Sequence, residues 1–409
     1  MGQRRPIDYR RQWLCGVLAA ALLVVSAGCG REPQPAAPAA APFVVGLILV
    51  GPASDHGWSQ AEYEAMRRVE ATLPNVKLIV IDNVNPGAKP GVTIPQLAEQ
   101  MIAQGAQLII TGSDDFKDGT TEAARRHPEV FFINASGDVA WPAGHNYQPL
   151  PNLANVMGRM EFGEAIAGYA AALATQTGKI GYLGPLINDE TRRLANATWL
   201  GALRAWTDVR GRDPRELTFT VKWIGFWFNI PGQTLDPTRV SEELFAGGYD
   251  VVISGLDTTE ALVKAGQLRR AGKQVWAIPY NFRDGCAEAP DAALGVPYFN
   301  WYPMFRRAVE QARSGARQPY FVWDGPEWRD INSADSSSVG FVRSAGMSNA
   351  QAAQVERYTR ELAQDPGALF RGPLNYQDGS VMLAPGETAS DTQIWYQPQL
   401  LAGMTGASK

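Results

Sequence analysis

From Phe43 onward the chain alternates short apolar runs with helix-length amphipathic segments, and this alternation constrains the fold more than any other feature. "FVVGLILV", "VKLIVI", "AQLIIT" and "VFFINAS" have the length and β-branched content of buried strands. The first three each lead into a segment with helical periodicity, starting near Ser59, near Thr93 and at "TEAARRH". After the helix-like "EFGEAIAGYAAALAT" the pattern restarts. "GKIGYLG", "FTVKWIG", "YDVVISG" and "KQVWAIPY" alternate with "RRLANATWLGALRAW", a helix near Val240–Ala246 and one near Thr258–Ala271. Strands that alternate with helices predict an α/β fold of parallel sheets wound on both faces. Two rounds predict two doubly wound lobes, with ligands outside the carboxyl ends of the strands.

The residues just beyond the apolar runs are unusual. "GPASDHGW", "GSDDF", "NASGD", "GFWFN", "GLDTTE" and "YNFRD" place polar and aromatic side chains at the predicted sheet rims. Ser59 and Glu62 have capping-box spacing for the first helix, and Asp257 with Glu260 gives a similar start signal, so the Asp257 carboxylate is expected either to cap its helix or to meet a ligand. Trp58 sits between strand and helix, outside both apolar rows. It is therefore a candidate cleft aromatic.

The ends of the chain and its charge narrow the class. Arg4, Arg5, Arg10 and Arg11 precede an apolar run from Trp13 to Gly28 that ends in "VSAGC". Residues 1–28 read as a signal peptide, and Ser26, Ala27 and Gly28 before Cys29 resemble a lipobox, with Cys29 as the lipidated residue. Residues 29–42, rich in Pro and Ala, read as a tether. Cleavage before Cys29 removes four arginines and Asp8 and takes the formal charge from −4 to −7. That balance argues against a nucleic-acid partner. Cys286 then has no second cysteine in the body, so no disulfide framework is expected. Lobe 1 is read as 43–155, lobe 2 as 156–280, and 281–409 as crossover segments completing both.

Seven motifs, in order, resemble the basic membrane protein family of ABC-importer substrate-binding lipoproteins, of the purine nucleoside receptor type. They are "DHGWSQ", "TGSDDFKD", "NASGD", "GRMEFGEAIAG", "FWFNIPGQTLDP", "VPYFNWYPMF" and "FRGPLNYQDG". The resemblance implies a type I periplasmic-binding-protein fold. It also implies a purine base or nucleoside held between two aromatics and passed to a membrane permease driven by a separate ATPase. Trp58 is then one wall and Trp227, with Phe228 as its rival, the other. Asp55, Ser59, Gln60, Ser113, Asn134, Asp257 and Asn281 are the polar candidates for the ligand's edge, with Asp257 or Asn281 able to reach a ribose instead. A flat purine supports this chemistry, because rings cover its faces while amides and carboxylates read its edge. No cofactor and no metal are expected.

The chain departs from the family pattern at Asn229, at the inserted "IPGQTL", at Arg283 and at Asp114 and Asp115. Other readings are a binder of sugars or another small polar solute, and a ligand sensor of the same fold. An enzyme has little support: His56, His127 and His145 are the only histidines, none is at metal-ligand spacing, and no nucleophile-elbow or phosphate-loop motif occurs.

Overall fold

The computed structural model describes residues 41–409. The leader, Cys29 and the tether up to residue 40 lie outside the described residues. Within them, the alternating pattern builds two separate parallel sheets. The first has six strands in the spatial order Phe321–Asp324, Leu153–Gly158, Phe131–Ala135, Ala106–Gly112, Phe43–Leu49, Val76–Ile81. The second has five: Met404–Thr405, Thr218–Trp223, Lys179–Gly184, Val251–Ser254 and Trp276–Ile278. All pairings within both sheets are parallel. Central strands such as Phe131–Ala135 are buried along their whole length, as expected when helices cover both faces.

The chain crosses between the sheets more than once. It leaves the first through Leu153–Gly158 and enters the helix Glu161–Ala174, which packs in the core of the second. Further on, Gly295–Phe299 pairs with Val339–Arg343 in an antiparallel ribbon. Between its strands, the helix Tyr302–Arg313 and the edge strand Phe321–Asp324 return to the first sheet. This places Trp323 and Asp324 in an edge strand.

The C-terminal stretch touches both halves. Trp395 packs edge-on against Trp323 and Phe321, at centroid distances of 4.8 and 5.4 Å. Tyr396 stacks on His145 at 3.7 Å and bonds the Asp138 carboxylate. A few residues later Leu401 N–H donates to Asn196 Oδ1, and Met404–Thr405 forms an edge of the second sheet.

Candidate functional site

The first helix, Trp58–Thr72, opens differently from the capping-box expectation. Asp55 is the residue that satisfies its free N–H groups, accepting from Gly57, Ser59 and Gln60 at 2.9, 2.9 and 3.0 Å. Ser59 lies inside the first turn, and its Oγ accepts from Gly51 N–H. Glu62 does not reach back to the cap. Its side chain is fully buried, with no hydrogen-bond partner for either oxygen among the described residues. Gly112 makes room for it, since a Cβ there would lie 1.7 Å from Glu62 Oε2. Burial, then Asp257 and Asp55, push the Glu62 carboxyl well above its ordinary range.

Trp58 is fixed rather than free. Its Nε1 donates to Gly112 O at 2.9 Å, and its ring meets Phe299 and Trp301 edge-on at 5.2 and 5.0 Å. It lines a narrow cavity, with about 20 Å³ of room for water, together with Ser113, Tyr182, Glu190, Trp227, Asp257 and Tyr280, among others. Small-ligand sites usually hold roughly 300–1,000 Å³, so a ligand requires these walls to move apart. The lining residues come from the carboxyl ends of strands in both sheets and from the first turns of the helix Asp189–Arg204.

The two rival aromatics separate. Trp227 lines this cavity and donates from Nε1 to Asp115 Oδ2 at 3.0 Å. Phe228 packs edge-on against Phe226 and lines a different space, near 610 Å³, with Asp55, Asn85 and the inserted Ile230. Asp257 lines the Trp227 cavity and does not cap its helix, whose N-cap is Thr259. Its carboxylate accepts from Asn281 Nδ2 at 2.9 Å, and burial, followed by Asp55, Glu190 and Asp115, raises its pKa well above normal.

Apart from Ser113 and Asp257, the predicted polar residues do not line the cavity, each for a local reason. Ser59 is committed to Gly51, and Gln60 holds His56 N–H and Glu64. Asn134 spends its amide on Thr111 and Ser113 carbonyls and on Asn155, tying strand ends together. Asn281 stands behind Asp257. Asp55 faces the larger space beside Phe228. His56, with φ of 59°, turns its ring toward Glu288.

Sequence reasoning missed Tyr182, Glu190 and Tyr280. Glu190 accepts from Ser136 Oγ at 3.1 Å, so the "NASGD" turn reaches the cavity through its serine. Burial outweighs Arg193 and pushes Glu190 up to about 7. Tyr280 is 4% exposed, and its hydroxyl has no partner among the described residues. A signal existed for Tyr280, which closes the strand motif "KQVWAIPY". None marked Glu190, a helix-face carboxylate.

The two sheets' loops also approach each other closely at Gly57. A Cβ there would lie 1.8 Å from the carbonyl oxygen of Asp257. Only glycine lets the start of the first helix come that near the residue whose carboxylate lines the cavity.

This arrangement matches known proteins. Residues 43–206 fit the family model described as ABC transporter substrate-binding protein, PnrA-like. That family is Bmp, and the match spans 164 of the 409 residues. The chain is 27% identical over 371 residues to a purine-binding protein of Brucella abortus (strain 2308), covering 88% of this chain and 92% of that one. It is 25% identical over 281 residues to a putative ABC transporter glucose-binding protein of Haloferax volcanii, covering 68% of this chain and 63% of that one. The fold resembles that of an ABC transporter solute-binding protein from Aeropyrum pernix K1, with a TM-score of 0.63, 13% identity, and coverage of 82% and 93%. The architecture is the two-lobed type I periplasmic-binding-protein fold, one lobe per sheet. With this match and these relatives it is the substrate-binding component of an ABC transporter, acting outside the cytoplasm, and not an enzyme. Among the described residues no helix is long and apolar enough to cross a membrane.

Proposed function

We propose that this protein binds a purine nucleobase or nucleoside between Trp58 and Trp227 and delivers it to its permease. The observation that carries the reading is that one tryptophan from each lobe lines the same cavity, together with buried polar groups. The purine-binding relative from Brucella abortus supports it. Stacking is sequence-tolerant and worth on the order of 1–3 kcal/mol per base in nucleic-acid complexes. Ligand binding favours the closed arrangement of the lobes through its differential affinity for that state. Lobe 1 is 43–155 and lobe 2 is 156–280, with 281–409 contributing to both. The mature chain is held at the membrane by a lipid on Cys29.

The glucose-binding relative from Haloferax volcanii favours a second reading, a sugar held on the same tryptophans. Thermal unfolding of the full chain decides between them. Adenine, adenosine, cytosine and glucose are each added in turn; a ligand at 100 times its Kd adds about 2.7 kcal/mol. A midpoint raised by glucose and by no purine would overturn the purine reading. For the anchor, Cys29→Ala is expected to move the protein from the membrane fraction to the soluble fraction.

A further inference from the structure

The charged side chains of the cavity have one sign. Asp114, Glu190 and Asp257 line it, and no Lys, Arg or His does. Lys117 stands behind Asp114, to which it is paired, and Arg193 is turned away, its Nη1 donating to the carbonyl of Trp395. The indole N–H groups are also spent, on Gly112 O and Asp115. Thr191 donates to Leu186 O. The hydroxyl groups that remain for a ligand are those of Tyr182, Ser113 and, without any partner and almost wholly buried, Tyr280.

This chemistry selects among flat rings. An ionised carboxyl can only accept, so it rewards an amino group or ring N–H and penalises a carbonyl edge, and such an N–H in turn favours the ionised form over the neutral acid that burial promotes. A phosphate brought into this cavity meets carboxyl groups and no lining cation, Lys117 and Arg193 being committed to Asp114 and the carbonyl of Trp395. A tyrosine hydroxyl can donate to the ring nitrogen that lies beside an amino group. Resting on the purine reading above, we propose that the cleft selects heteroaromatic rings edged by amino groups, neutral or cationic, against carbonyl-edged rings and nucleotides. Glu190 and Asp257 are the acceptors that set this preference, and Tyr280 supplies the donor to a ring nitrogen.

Calorimetric titration of the full chain with 2,6-diaminopurine, adenine, hypoxanthine and adenosine monophosphate tests this. The two amino-bearing bases are expected to bind at least about tenfold more tightly than hypoxanthine, and the nucleotide without measurable heat. Glu190→Gln and Asp257→Asn, each checked for an unchanged unfolding midpoint without ligand, should each reduce the ratio of diaminopurine to hypoxanthine affinity. Tyr280→Phe should weaken adenine more than unsubstituted benzimidazole. Hypoxanthine or the nucleotide binding as tightly as adenine overturns the inference and leaves the purine reading standing. The inference also fails if both carboxamide variants keep the full ratio. Binding of glucose and of none of the purines would instead overturn the reading on which it rests.

Discussion

Trp227 and Phe228 are neighbours in sequence, yet they face different spaces, and this gives a residue-scale test of the site. Trp227→Ala is expected to weaken purine binding by roughly 1–3 kcal/mol, about 5- to 150-fold in Kd, while Phe228→Ala costs much less. Tryptophan fluorescence titration reads both. Glu164 gives a second test, this time of stability. It is fully buried on the helix Glu161–Ala174, accepts from Thr198 Oγ1 at 2.6 Å, and burial pushes its carboxyl to about 8. The folded value lies above the ordinary one, so the folded state holds the proton more tightly than the unfolded chain does. That stabilisation is complete at pH values below the ordinary carboxyl range and is lost as pH rises toward about 8. Glu164→Gln keeps an acceptor for Thr198 and removes the titration. Its unfolding free energy, relative to the parent, is therefore expected to rise by about 3 kcal/mol between about pH 5 and pH 8.5. Chemical denaturation at the two pH values checks this.

At the scale of elements, the opening of the first helix links two tasks. Asp55 supplies the cap, so Asp55→Ala is expected to destabilise the fold by about 0.5–2 kcal/mol in denaturant melts. Gly57 supplies clearance, so Gly57→Ala should leave the unliganded midpoint nearly unchanged. It should also oppose lobe closure by roughly 1–3 kcal/mol, the cost of overpacking. Small-angle scattering would show the compaction on ligand addition reduced or lost. The same stretch shows how much was legible in the sequence. Alternation of apolar runs gave the strands, the helices and the rim position of Trp58, because those depend on local periodicity. The spacing of Ser59 and Glu62 misled, because a carboxylate three residues before the helix, Asp55, competed for the same N–H groups. Glu62 could then turn into the core beside Gly112. Asn134 and Asn281 read as ligand contacts for a similar reason. Their types suit an edge-reading role, but only the three-dimensional arrangement shows that neighbouring carbonyls and Asp257 have already taken their amides.

On the scale of the whole molecule, the two sheets share a cavity but not their sequence order. The strand that borders Leu153–Gly158 comes from Phe321–Asp324, and the second sheet is completed by Met404–Thr405, far along the chain from its partner Thr218–Trp223. No local pattern reveals such long-range pairings, which is why these two edges were not legible; the interior strand Leu153–Gly158 was missed as well. The aromatic contacts of Trp395 with Trp323 and Phe321 bury a large side chain, and Trp395→Ala is expected to cost about 3–5 kcal/mol in denaturant melts.

The late position of Met404–Thr405 has a consequence in time. A chain that emerges amino end first assembles the interior of each sheet early but leaves one edge of the second open until residues 404–405 are free. Its backbone donors and acceptors along Thr218–Trp223 stay available to other chains during that interval. Pairing of Met404–Thr405 with Phe219 and Thr220, rather than assembly of the ligand-lining residues, covers that part of the edge.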